Sequence, residues 1–222
     1  MFTGASSSRR PGRTLVEIMV ATTILMLLLA SCAVALRSAS QYHRRISEQT
    51  ELENSLMMAI GALTRDGAET SARAVAWEED PPALTFPVPR GENGELLVDH
   101  SAGNKLLFGT VVSYRVVGSD LELRRYVDVL PTPERRPPHP IDELSPSRDG
   151  AYFDSPTRPF KTLAKGAVEF ELQGLGIDSD GNEFGESDLT EARFFRVDLK
   201  LERELQERPY AISMGLDIVP RN

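Results

Sequence analysis

Hydrophobic and polar positions divide the chain into three regimes. From Thr14 to Leu36 there are 23 residues, and Glu17 is the only charged one. About 20 apolar residues in a helix suffice to cross a bilayer, so this run predicts a membrane span. After Leu36 the chain turns polar but keeps a helical stripe, with Leu52, Leu56, Ile60 and Leu63 at steps of 4, 4 and 3. That spacing lays four side chains along one helix face and leaves Arg44, Arg45, Glu48, Glu51 and Glu53 for water or neighbours. Neither Gly nor Pro occurs between Arg13 and Ile60, so both regimes belong to one predicted helix of about 50 residues, roughly 75 Å long. Arg65-Asp66-Gly67 is its expected stop.

From about Trp77 the period changes to two. Phe195, Val197, Leu199 and Leu201 alternate with Arg196, Asp198, Lys200 and Glu202, as in a strand with one dry and one wet face. Ile212, Met214, Leu216 and Ile218 repeat the pattern after an expected turn at Glu207 to Pro209, and Val168, Phe170 and Leu172 form a third case. "VVSYRVV" and "LELRRYVDV" flank Gly118-Ser119-Asp120, a hairpin signal. The economical assembly is an α+β fold in which an antiparallel sheet packs on the polar half of the helix. It comprises an apolar helical segment (13–36), an amphipathic half (37–66) and a β-rich domain (67–222).

Two stretches break the pattern. Pro131 to Pro159 contains eight prolines and is expected to be an irregular, exposed insertion that serves as a variable loop or a contact surface. The acidic run Asp178 to Asp188 places Asp178, Asp180 and Asn182 at the first, third and fifth ligand positions of a calcium loop. Glu183 then stands where an EF-hand requires Gly, and Leu189 where it requires a bidentate Glu. A calcium site on those three residues would be of another kind, and the alternative is a solvated turn.

Charge and chemistry narrow the function. A formal net charge of −8 disfavours nucleic-acid binding, which draws on clustered Lys and Arg. Arg9, Arg10 and Arg13 precede the apolar run and favour a cytoplasmic N-terminus. The single cysteine, Cys32, allows no intrachain disulfide, and His43, His100 and His139 are scattered. There is no nucleophile–base pair or phosphate-binding glycine loop, and Gly174-Leu175-Gly176 reads as a turn. An enzyme is not expected, nor a cofactor beyond the calcium considered above.

Three fates of the N-terminus compete. Ala33-Val34-Ala35 fits ordinary signal cleavage, and Leu29 to Cys32 resembles a lipobox that would anchor a lipoprotein binding module through Cys32. Both would discard Glu17. The third keeps Glu17 and gives it a role, because "GRTLVE", Gly12 to Glu17, followed by "IMVATTILMLLLA", resembles the class III leader of the type IV pilin family.

That resemblance implies cleavage between Gly12 and Arg13 by the prepilin peptidase, which removes residues 1–12. Arg13 becomes the mature N-terminus and the candidate for N-methylation, although this position is usually Phe in the family. Glu17 becomes the fifth mature residue, whose carboxylate meets the free α-amine of a neighbouring subunit during assembly. The resemblance further implies a helix-on-domain lollipop held in the inner membrane with its N-terminus cytoplasmic and its globular part periplasmic. The family's usual kinking proline is replaced by Val34, which with the chain's size resembles a large minor pilin or a J-type minor pseudopilin. Expected partners are other minor pilins, the major pilin and the inner-membrane assembly platform. Priming a type IV pilus from its tip is the favoured role; the tip of a type II secretion pseudopilus is the alternative.

Overall fold

A computed structural model of the chain describes residues 14–70, 74–79, 82–91, 93–134, 159–177, 183–186, 191–205 and 208–220. These divide into two compact units that meet in sequence between Ser47 and Glu48. Helix α1 (Leu15–Ala68) runs through both without a break. It is followed by β1 (Ala76–Glu79), β2 (Pro82–Val88), β3 (Val98–Asp99), β4 (Lys105–Leu106), β5 (Phe108–Val117), β6 (Glu122–Glu134), β7 (Phe160–Ala164), β8 (Ala167–Ile177), β9 (Glu183–Glu186), β10 (Phe194–Leu205) and β11 (Arg208–Ile218). The class is therefore α+β, with one long apolar N-terminal helix ahead of antiparallel sheets.

In the second unit, one sheet has the order β1-β2-β5-β6-β7 and another the order β11-β10-β8-β9, with β3 and β4 as a separate ribbon. Every pairing recorded among them is antiparallel. Leu52, Leu56, Ile60 and Leu63 are all buried, as the stripe predicts. They share one core with Leu84, Phe86, Val112 and Tyr114 of the first sheet and Phe170, Phe195, Val197, Leu199 and Leu201 of the second. Burying side chains of this size contributes about 1.5–3 kcal/mol each, which gives the polar half of α1 its partner. The polar side of the stripe is tied down too: Glu51 faces Arg203 at 3.5 Å, and Tyr210 donates to Glu53 at 3.3 Å.

The hairpin between β5 and β6 closes where the turn signal lies, with Gly118 at a positive φ. β10 and β11 alternate as expected. Helix α1 ends at Ala68, one residue past Gly67, as the Arg65-Asp66-Gly67 stop predicts; the glycine is also required by packing, since a Cβ there would lie 2.8 Å from Ile218 Cγ2. Four expectations need correction. The turn after β10 is tighter than Glu207 to Pro209, since Arg208 already pairs with Leu205 and Pro209 with Glu204. Gly174-Leu175-Gly176 is no turn; these residues are buried inside β8, all three paired with β9 and the first two also with β10. Val168 does not point inward, because the register with β10 slips between Lys200 and Leu201, and Ala167 takes the buried place instead. Residues 131–134 of the Pro-rich stretch belong to β6. Their prolines are tolerated because β6 pairs through Val129 and then Glu134 while β5 advances only from Thr110 to Phe108, a bulge that needs no ladder donors from Pro131 or Pro133. Residues 135–158 lie outside the described residues.

Candidate functional site

Gly12 and Arg13, the expected cleavage and methylation positions, lie outside the described residues, which begin at Thr14. Glu17 is described, and it sits in the first turn of α1. The Thr14 amide donates to Glu17 Oε2 at 3.0 Å, and the Glu17 amide donates to Thr14 Oγ1 at 3.3 Å. The Thr14 carbonyl accepts the first helical bond, from Ile18 N at 3.3 Å. This is a reciprocal capping box, in which Thr and Glu three residues apart satisfy two amides that a helix start leaves without partners. The carboxylate is also at the positive end of the helix dipole. The sequence carries the signal in Thr14-x-x-Glu17 just before an apolar run, yet the resemblance points the carboxylate to a neighbouring subunit alone.

On both sides of Glu17, as far as Leu36, the helix is lined by exposed apolar side chains. Leu15, Val16, Met26 and Leu36 are each at least 66% exposed, and the most apolar window of α1 has a mean hydropathy of 2.4 with none of it buried. A surface of this kind needs lipid or protein around it, and α1 is long and apolar enough to cross a membrane. Its hydroxyl groups are satisfied internally: Thr22 bonds the Ile18 and Met19 carbonyls, Thr23 the Met19 carbonyl and Ser31 the Leu27 carbonyl, all at 2.8–3.0 Å. Cys32 is exposed in mid-helix, a free thiol.

A second charged centre lies at the other end of α1, and sequence reasoning missed it. Asp66 continues the buried stripe three residues after Leu63 and is 2% exposed. It accepts from Arg65 Nε at 2.9 Å, Tyr114 Oη at 2.7 Å and Arg125 Nε at 2.6 Å. Burial pushes its carboxyl pKa up, but the hydrogen bonds from Arg65, Arg125 and Tyr114 outweigh that and hold it below the ordinary value. Burial and the Asp66 charge together push the Tyr114 phenol well up. A carboxylate near the negative end of a helix is otherwise unfavourable; three charge-assisted or buried donors reverse that balance and bind α1 to β5 and β6. Just beyond the helix, Glu69 pairs with Arg90, whose Nε lies 2.7 Å from Glu69 Oε2. The signal for this centre was the stripe's own spacing, which runs on from Leu63 to a charged residue.

Asp178, Asp180 and Asn182, the candidate calcium ligands, lie outside the described residues. The acidic run is not one turn, because Glu183–Glu186 forms β9 and pairs with β8 from Gly174 to Ile177. Among the described residues no three His, Cys, Asp or Glu side chains converge as a metal group. His100 Nδ1 lies 2.8 Å from Asn104 Oδ1, a local contact beside the β3–β4 ribbon. Comparison with known proteins gives no matching family model, no matching curated protein and no matching solved structure.

Proposed function

We propose that this chain is a minor pilin that primes type IV pilus assembly as part of a tip complex, in a structural and not a catalytic capacity. The observation that carries the reading is a lone carboxylate, Glu17, in the first turn of a helix whose apolar residues from Ile18 to Leu36 are all exposed. A charged side chain in hydrocarbon costs about 3 kcal/mol or more unless it is paired. Cleavage after Gly12 by the prepilin peptidase would leave an α-amine at Arg13, four residues before Glu17, and would give each subunit both members of a pair. Exposed apolar helices then associate side by side in the inner membrane, and the amine of one subunit meets the Glu17 carboxylate of another. A small complex of minor subunits formed in this way spares the major pilin its least favourable first association.

Mass spectrometry of the mature N-terminus tests the cut directly. A chain starting at Arg13 supports the proposal, whereas a lipidated Cys32 or a start at Leu36 ends it. Deletion in the native host then separates the two filament systems. Loss of piliation with secretion intact supports the pilus, and the opposite result assigns the chain to a type II secretion pseudopilus. Glu17→Ala should be cleaved and inserted normally but enter the complex poorly; unchanged incorporation refutes the pairing mechanism.

A further inference from the structure

We propose that Asn93 is a site of spontaneous deamidation, and that its conversion to isoaspartate releases a loop from the end of α1. Asn93-Gly94 is the only Asn-Gly pair in the chain. Both residues are exposed, in the loop that follows β2. The Arg90–Leu96 bridge closes this loop at its base. Inside it the Gly91 amide donates to the Glu95 carbonyl at 2.9 Å, and the Gly94 amide to the Gly91 carbonyl at 3.0 Å. Gly94 has a φ of +80°, in the left-handed region that favours glycine. A Cβ there would have no neighbour within 4 Å among the described residues outside its own stretch of chain, so the Gly94 nitrogen is unshielded. Its bond to Gly91 must open before it can react, and exposed loop tips are where such local opening costs least.

The chemistry needs only water. The Gly94 nitrogen attacks Asn93 Cγ, and the new N–Cγ bond closes a succinimide ring. The Asn93 side-chain nitrogen leaves as ammonia, carrying away the proton that the Gly94 nitrogen gives up. Water then adds to either ring carbonyl and breaks its bond to nitrogen. Opening at Cγ leaves aspartate on the original backbone. Opening at the main-chain carbonyl leaves isoaspartate, whose main chain runs through Cβ and Cγ and is longer by one methylene. That extra length displaces the Gly94 amide and carbonyl together. The carbonyl matters beyond the loop, because Arg90 Nη1 donates to it at 2.8 Å. The same guanidinium donates through Nε to Glu69 Oε2 at 2.7 Å and through Nη2 to Glu69 Oε1. One rigid fork therefore ties the Asn93-Gly94 turn to the residue directly after α1, and it holds only while its acceptors keep their places. All of these residues belong to the second unit, so the site stands apart from the pilus reading.

The test ages the full chain in detergent micelles at mildly alkaline pH, which favours the attacking amide, and maps its peptides by mass spectrometry. Acid should accumulate at residue 93 about tenfold or more faster than at Asn54 or Asn104, whose next residues are Ser55 and Lys105, a barrier lower by about 1.4 kcal/mol or more. Backbone fragmentation should show isoaspartate as the larger product. Amide exchange in the aged chain should then be faster than in the fresh chain at Gly91 and Gly94, and also at Glu69 and Thr70 beyond α1. Asn93→Gln, whose longer side chain closes such a ring far more slowly, should show neither change on ageing. Fresh Asn93→Asp supplies the charge without the extra methylene and should keep the exchange of the fresh parent. The proposal is overturned if residue 93 deamidates no faster than Asn54 and Asn104, if aspartate is the main product, or if ageing leaves exchange at Glu69 and Thr70 unchanged. It is also overturned if fresh Asn93→Asp already matches the aged chain, which would assign the effect to charge alone.

Discussion

Replacing Tyr114 with Phe tests whether the Asp66 centre holds α1 to the sheet. The Tyr114 side chain is fully buried and its hydroxyl donates to Asp66 Oδ2 at 2.7 Å. The substitution keeps the ring and its contact with Phe86, 5.8 Å between centroids, and removes one hydrogen bond to a charged acceptor. Such bonds contribute about 1.5–3 kcal/mol. Asp66 keeps Arg125 and Arg65 as donors, so the carboxylate stays ionised and the loss should fall in that range. For a domain of this size, about 1 kcal/mol moves Tm by roughly 2–4 °C, which predicts a drop of about 3–12 °C. Asp66→Asn should cost more, about 3–5 kcal/mol, because it strips the half-buried Arg125 guanidinium of its counter-charge. Denaturation of the full chain in micelles, followed by near-ultraviolet circular dichroism, gives both values. The double variant should lose less than the sum of the single losses, since the residues share one network. A Tyr114→Phe loss below about 0.5 kcal/mol, or strict additivity, would refute the assigned role.

The same centre sets a pH window. The Asp66 pKa is lowered on folding, so its contribution is complete above the unfolded value near pH 4 and is lost as pH falls through the still lower folded value. The Tyr114 pKa is raised, so its contribution is complete below about pH 10 and is lost as pH rises beyond that. Stability against pH should therefore fall at both ends, and Tyr114→Phe should reduce the alkaline loss, to which the raised Tyr210 and Lys165 also contribute; an unchanged alkaline limb would count against the assignment. Gly166→Ala should destabilise by several kcal/mol, because φ is +75° and the new Cβ would lie 2.1 Å from the Glu202 carbonyl oxygen, at the crossing from β7 to β8; a Tm within about 2 °C of the parent would refute this. Thr14→Val should remove the hydroxyl half of the capping box at a cost of about 1 kcal/mol, read as fraying of the first turn in amide exchange, with unaltered exchange as the refuting result.

Most of the fold was legible because burial imposes a period. Leu52, Leu56, Ile60 and Leu63, and the alternating residues of β10 and β11, are buried or half-buried as their spacing requires. Misreadings arose where tertiary contacts overrode local signals. Gly174 and Gly176 read as a turn but sit within a paired strand. Val168 was turned outward by a register slip that no local pattern announces. Asp66 escaped notice because a carboxylate on a buried stripe has meaning only once Tyr114 and Arg125, 48 and 59 residues away, are seen to reach it.

The capping box changes the physics of Glu17. From sequence alone this carboxylate is a charge stranded in hydrocarbon until a neighbour's amine arrives. In the folded chain it already accepts from the Thr14 amide and sits at the positive end of the α1 dipole. Each interaction lowers the cost of the isolated subunit, by about 1 kcal/mol for the cap and a similar amount or less for the dipole. On the proposed reading, the net drive for intersubunit pairing is therefore smaller than the bare cost of a buried carboxylate. It also becomes specific, because the cap fixes one carboxylate oxygen against the helix start and leaves the other to receive a donor. Glu17→Gln separates the two roles. A glutamine carbonyl can still close the capping box, so the first turn should keep its amide protection, while the charge that an incoming α-amine requires is gone. If pairing drives assembly, Glu17→Gln should match Glu17→Ala in incorporation and match the parent in protection of the first turn. If Glu17→Gln assembles normally, the carboxylate serves the helix start and the pairing account fails.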